Sequence, residues 1–230
     1  MPDLVLDVLD ASGARDAFVE LSAAHRECFP SDVPSSGAET VDEFFDRVTW
    51  LHDESSTTWF VLRANVRASK VADGVKARRG DVVGFACGVA YANSWYGAHL
   101  AVRPKYRGRG YGSYLMRASQ AHAAKLGITK LQASVDVCAH VGSGRLLGYY
   151  ESHGARVTIT GFGSAGSVEP SVVRIEREFT ADVARRELEE SEAVIFRSSG
   201  RRLRAMVFGV IGACACAVIA RKRLSERRGM

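Results

Sequence analysis

Leu100-Ala101-Val102-Arg103-Pro104-Lys105-Tyr106-Arg107-Gly108-Arg109-Gly110-Tyr111-Gly112 decides how this chain is read: an apolar strand end, a proline break, then an Arg-Gly-x-Gly-x-Gly turn opening straight into a helix. Glycine takes backbone conformations closed to other residues and leaves its N–H accessible, and the dipole of the helix that follows brings partial positive charge to the same point. Arg107 and Arg109 add full charges. Together these features suit a pyrophosphate.

Spacing narrows the ligand. A P-loop requires Gly-Lys-Ser/Thr after its glycines, whereas Gly112 is followed by Ser113 and Tyr114, which disfavours Mg-nucleotide chemistry. A dinucleotide fingerprint is spaced G-x-G-x-x-G with an acidic residue about 20 positions on. Here the glycines are spaced G-x-G-x-G, and Asp136 lies beyond that distance.

The surrounding residues build a βαβ unit. After Gly112, Tyr114, Leu115, Met116, Ala118, Ser119, His122, Ala123 and Leu126 set a mainly apolar stripe on one helix face, and Gly127 stops the helix. Lys130 to Val137 then alternates with period two, as a strand with one covered face does. Arg107-x-x-Gly110-x-Gly112 resembles the Q/R-x-x-G-x-G/A signature of the GNAT superfamily of acetyl-CoA-dependent N-acetyltransferases. Leu100 to Pro104 resembles that family's preceding strand. Farther on, Arg145 to Ala155 (RLLGYYESHGA) resembles the second GNAT signature, a helix ending in aromatic-Tyr-Glu-x-x-Gly. The likeness is close over 98–155 and looser over 1–180. It implies an α/β (α+β mixed) fold, a splayed mixed β-sheet flanked by helices.

The rest of the chain is read around that core. A length of 230 residues with 47% hydrophobic and 25% charged content suits one globular domain. The start, with Asp3, Asp7 and Asp10 among Leu4, Val5, Leu6, Val8 and Leu9, fits a first strand and not a signal peptide. Helical spacing covers Ala14 to Phe29, broken by 30–37, and a second helix is predicted over Val41 to Leu51. Thr57 to Ala64 and Asp81 to Tyr91 read as a strand pair, with a basic loop from Lys70 to Gly80 between them, and Arg156 to Thr160 and Ser171 to Phe179 as the last strands.

The resemblance also implies a chemistry: direct transfer of an acetyl group from acetyl-CoA, as co-substrate, to an amine, with no metal. Backbone groups of Leu100, Ala101 and Val102 are expected to pair with the pantetheine amides as a missing strand would. Arg107, Gly108, Arg109, Gly110, Tyr111, Gly112 and Ser113 are expected to hold the diphosphate. Tyr150, aligned with the family's tyrosine, is the candidate general acid for the departing thiolate, because a phenol near pKa 10 is protonated at neutral pH and close enough to a thiol's 8.5 to donate. The alternative is that it only packs against the sheet, as Tyr149 is expected to do. His99, at the edge of the cofactor strand, and Asp136, in the next strand, are candidate bases. Glu27 and Asp32 beside the first helix break, or a water chain, are alternatives.

The chain departs from the pattern at two places. Ser143 stands where the second signature often begins with Asn, and Ala155 and Arg156 follow Gly154 where many members carry an aromatic. The His99-Leu100-Ala101-Val102 run and the Arg26-Glu27-Cys28-Phe29-Pro30 stretch bear some likeness to the family's arylalkylamine acetyltransferases. That favours a small or aromatic amine over a peptide N-terminus or lysine side chain.

Charge is unevenly distributed. Residues 195–230 hold nine Lys/Arg and one Glu, which leaves 22 basic and 25 acidic residues elsewhere, a formal −3. Such a domain suits a cationic acceptor and argues against nucleic-acid binding. Ala205 to Ala220 carries no charge and is bracketed by Arg201, Arg202 and Arg204 and by Arg221, Lys222 and Arg223. As a helix it would be roughly 24 Å long, short of the roughly 30 Å hydrocarbon core, a gap that arginine snorkelling and bilayer thinning close. It reads as a C-terminal membrane anchor, with a buried core helix as the alternative.

The expected organisation is therefore an N-acetyltransferase domain over 1–180, a charged helical linker over 181–200, and an anchor and tail over 201–230. In this reading the catalytic domain faces the cytosol, as in tail-anchored proteins. The mitochondrial outer membrane is favoured over endoplasmic reticulum or peroxisome, and basic flanks suit anionic lipid. Cys28, Cys87 and Cys138 show no C-x-x-C spacing, as expected of reduced thiols. A non-catalytic acyl-CoA sensor, or a membrane adaptor on the same fold, is the alternative function.

Overall fold

Alternating Leu4–Leu9 forms β1, the first strand of the computed structural model, which describes residues 4–30, 39–49, 56–65, 80–136, 143–162 and 170–195. Asp10 closes the strand and starts a helix, its carboxylate accepting from the Gly13 amide at 2.9 Å. The single helix expected over 14–29 is two: α1 (Ala11–Asp16) and α2 (Phe18–Cys28), joined at Ala17. Ala17 leaves helical geometry for one residue while its N–H still reaches the carbonyls of Gly13 and Ala14. An Asp-capped start at Ala11 also lengthens the helical stretch beyond the periodicity of its apolar residues.

In α3 (Val41–Thr49), Thr40 and Glu43 cap each other reciprocally. The strands β2 (Thr57–Ala64), β3 (Val82–Tyr91), β4 (Ser94–Val102), β5 (Lys130–Asp136), β6 (Arg156–Phe162) and β7 (Pro170–Glu178) complete one sheet, in the order β1-β2-β3-β4-β5-β7-β6. All neighbours are antiparallel except β4 and β5. That parallel step requires a crossover, which α4 (Tyr111–Lys125) provides. The basic loop expected over Lys70 to Gly80 lies, apart from Gly80, outside the described residues, as does Asp32.

The sheet is covered on both faces. On one, α4 packs with Phe60, Leu62, Val83 and Trp95. On the other, α1, α2 and α3 bury Leu21, Phe44, Phe45, Trp59 and Phe85. A third apolar cluster joins Met116 of α4 and Tyr150 of α5 (Ser143–Ser152) to Val173 and Ile175 of β7.

The charged helix expected as a spacer is present, α6 over 181–195, but it sits on the domain. Ala184, Leu188 and Ile195 join the main core. Arg177 of β7 pairs with Glu187 at 2.6 Å, and Arg117 of α4 donates to the Glu187 carbonyl at 3.3 Å and to the Ser191 hydroxyl. Its apolar positions were masked in the sequence by the intervening acidic residues. Among the described residues no helix is long and apolar enough to cross a membrane. The expected anchor, Ala205 to Ala220, lies outside them.

Candidate active site

The sheet opens at one place. β4 and β5 pair from Ser94↔Lys130 to Gly97↔Ala133 and no farther, although β4 continues to Val102 alongside β3 and β5 continues to Asp136 alongside β7. A bulge explains the parting. Cys87 of β3 faces His99 while the next residue, Gly88, faces Gly97, so Ala98 is an extra residue on β4. An unpaired extra residue bends its strand and increases its twist, here just where β5 is left behind. Gly88 makes the bend possible, because a Cβ there would stand 2.6 Å from both Trp95 Nε1 and the Tyr96 carbonyl.

The bulge also sets which side chain faces which helix. Ala98 and Ala101 belong to the α2 side, as does His99, whose ring lies 5.5 Å from His25 and 5.6 Å from Phe29. Leu100 and Val102 face the α4 side. Main-chain groups alternate likewise. The Arg103 N–H bonds the Val83 carbonyl at 3.0 Å, so the intervening Ala101 also turns its peptide groups to β3, while those of Leu100 and Val102 face the opening. Ala101, expected from sequence to pair with a cofactor, is thereby excluded from main-chain pairing across the opening.

Past Val102, a short 3₁₀ turn (Pro104–Tyr106) leads into the glycine turn. Gly108 and Gly110 have φ of 74° and 82°, in the left-handed region, and Gly110 is the N-cap of α4. The first i→i−4 bond of α4 runs from the Tyr114 N–H to the Gly110 carbonyl at 3.0 Å, so the amides of Tyr111, Gly112 and Ser113 lie ahead of the helix's own i→i−4 ladder. Arg107 Nε donates to the Val102 carbonyl at 2.9 Å and ties the turn to the strand end. Arg109 Nη1 is buried with no hydrogen-bond partner among the described residues. Amides at a helix start, ahead of the helix's own hydrogen-bond ladder, beside a buried guanidinium nitrogen with no protein partner among the described residues, fit a diphosphate.

Tyr150 lies in the apolar cluster that includes Leu100 of β4 and Ala133 and Val135 of β5, the residues on the two sides of the opening. Burial pushes its phenol up to about 12. Tyr149, beside it, has its hydroxyl buried near Ser113, 3.5 Å from where a Cβ on Gly112 would be, and burial raises it as well. The two signatures thus meet in space.

The candidate bases do not gather around Tyr150. His99 is on the α2 side of β4, opposite Leu100. Asp136 ends β5 at the register position of Val172. Glu27 is engaged: Arg103 Nε donates to it at 2.8 Å in a two-point pair that holds its carboxyl below the usual range, which argues against Glu27 as a base. Sequence reading missed His25, fully buried behind His99, with a pKa lowered to about 3 by burial, by His99 and by Arg47. A lone histidine in a helix gives no sign of what it will face. His153 was also passed over, although its Nε2 stands 2.9 Å from Ser113 Oγ.

A sequence model described as the acetyltransferase (GNAT) family matches residues 18–155. No curated protein matches the chain's sequence. Among solved structures it is similar to the PaiA N-acetyltransferase of Thermoplasma acidophilum in complex with coenzyme A. The TM-score is 0.51 at 14% identity, covering 76% of this chain and 99% of that one. It is also similar to spermidine N-acetyltransferase of Vibrio cholerae in complex with CoA and spermine, with TM-score 0.50 at 15% identity, covering 79% and 98%. At such identities the likeness is one of fold.

Proposed function

Since the chain belongs to the acetyltransferase (GNAT) family, we propose that it transfers an acetyl group directly from acetyl-CoA to a primary amine within a ternary complex. The observation that carries this reading is the opening beside Leu100 and Val102, continuous with the amide-rich start of α4. A pantetheine arm laid along β4 would meet the peptide groups of Leu100 and the N–H of Val102 as a neighbouring strand does, the Val102 carbonyl already accepting from Arg107. The diphosphate would meet the amides of Tyr111, Gly112 and Ser113, with Arg107 and Arg109 supplying charge.

The amine attacks the thioester carbonyl, the carbon–sulfur bond breaks, and the sulfur leaves as thiolate unless it gains a proton. The N–H groups directed into the opening are placed to stabilise the oxyanion, a contribution worth a few kcal/mol in other acyl transfers. Tyr150 is the proposed proton donor to sulfur. Burial that raises its phenol also raises a thiolate formed in the same cleft, so the two stay closer in acidity than their values in water suggest. His99, on the α2 side, is the proposed acceptor-side base, with Asp136 the alternative. The aromatic neighbours of His99, Phe29 and His25, support an amine with an apolar or aromatic body.

The uncharged run from Ala205 to Ala220, with arginines at both ends, supports a further part of the proposal: membrane attachment through the C-terminus. Flotation of the full chain with anionic vesicles, lost on deleting 201–230, is the expected outcome; equal flotation of both refutes it. For catalysis, the test is release of free thiol from acetyl-CoA by the full chain with spermidine, tryptamine, lysine peptides and N-terminal peptides. Release with at least one amine is expected. No release with any of them, together with no calorimetric heat of CoA binding, overturns the proposal.

A further inference from the structure

We propose that His153 is a positioning residue for the diphosphate-binding turn, bracing the start of α4 from another helix; this rests on the acetyl-CoA reading above. α4 begins without a side-chain cap, since its N-cap is Gly110. A helix start with no cap leaves its first amides and their side chains free to fray. Here the brace comes from just beyond the end of α5.

The geometry places a hydrogen on Nδ1. His153 Nδ1 is 2.7 Å from the Tyr149 carbonyl, an oxygen that only accepts, so Nδ1 carries the hydrogen. In the neutral ring Nε2 then accepts, and the Ser113 hydroxyl donates to it at 2.9 Å. The Ser152 hydroxyl donates to the same Tyr149 carbonyl at 2.7 Å, and the Tyr149 ring lies 4.5 Å from the imidazole. The imidazole is therefore held by α5 and presents Nε2 to the third residue of α4. That contact fixes the Ser113 side chain and, through it, the orientation of the Ser113 amide at the phosphate position.

The experiment compares two acetyl donors with the full chain and one amine: acetyl-CoA, and S-acetyl-pantetheine, which lacks the diphosphate. His153→Ala is expected to raise KM for acetyl-CoA roughly 5- to 10-fold, the loss that one net hydrogen bond produces, with kcat changed less than about two-fold. KM for S-acetyl-pantetheine stays as in the wild type. His153→Gln, whose amide reaches toward Ser113, restores most of the loss, and adding Ser113→Ala to His153→Ala costs little more. An unchanged acetyl-CoA KM in His153→Ala, or an equal rise with both donors, overturns the proposal. Should His153→Ala unfold, failure of His153→Gln to recover acetyl-CoA affinity relative to S-acetyl-pantetheine does the same. If the wild type turns over neither donor, the functional reading has failed instead, and the calorimetric CoA affinities of wild type and His153→Gln against His153→Ala still decide the positioning role.

Discussion

Tyr150 and His25 show how strongly burial shapes what a side chain does. Tyr150 is protonated at neutral pH as any phenol is, and burial extends that state to higher pH by disfavouring the phenolate. Tyr150→Phe keeps the ring in its apolar cluster and removes only the proton. It is expected to lower kcat by roughly 10²-fold with little change in acetyl-CoA KM or melting temperature. Steady-state kinetics alongside thermal unfolding checks this, and a kcat near wild type assigns Tyr150 to packing. His25 acts on stability. Its folded pKa of about 3 lies below the ordinary 6.5, so below pH 6.5 the unfolded chain binds a proton that the folded chain refuses. Stability is therefore full above that value and declines as pH falls toward 3. Between pH 7 and 5 the loss from this residue is about 2 kcal/mol. His122, lowered by burial and by Lys125, adds to the same slope. Urea midpoints at the two pH values measure it, and His25→Phe is expected to flatten most of it.

β4 and α4 are the elements that build the site, and each depends on a glycine. At Gly88 the close approach of Trp95 and Tyr96 leaves no room for a methyl group. Gly88→Ala must push β3 and β4 apart at the bulge and is expected to cost about 1–3 kcal/mol and to weaken CoA binding, because the bend opens the sheet. Denaturant unfolding paired with calorimetric CoA titration tests both parts, and a destabilised variant with unchanged CoA affinity would separate the bulge from the opening. The glycine turn and α4 were legible because three closely spaced glycines before an apolar stripe admit few other readings. The bulge was not, since Gly97-Ala98-His99 reads as an ordinary strand interior and the extra residue exists only relative to β3.

Across the molecule, α6, the last of the described helices, is part of the folded unit. Arg117 and Arg177 reach across to α6, and the Arg177–Glu187 pair is largely shielded from water. Removing one side of such a pair strands a charge, at a cost of roughly 3–5 kcal/mol. Truncation after residue 180 is therefore expected to lower the melting temperature by several degrees or abolish soluble folding, whereas truncation after residue 200 retains the domain's stability. Scanning calorimetry of the two truncations distinguishes them, and equal melting would return α6 to the role of a spacer. The charge asymmetry of the chain remains a sequence property: a slightly acidic body with a basic C-terminus.

Local chemistry was decided by the amino-acid order alone: where the turn falls, which helix follows it, which tyrosine ends the second motif, and most strand limits, Thr57–Ala64 among them. These follow from short-range rules in which each residue is judged against near neighbours. Folding in three dimensions decided the rest: that β4 and β5 part after Gly97, that His99 and Leu100 take opposite faces, that His153 meets Ser113, and that α6 docks. Each of these is a contact between segments distant along the chain, and its register is set by packing, which no local pattern encodes.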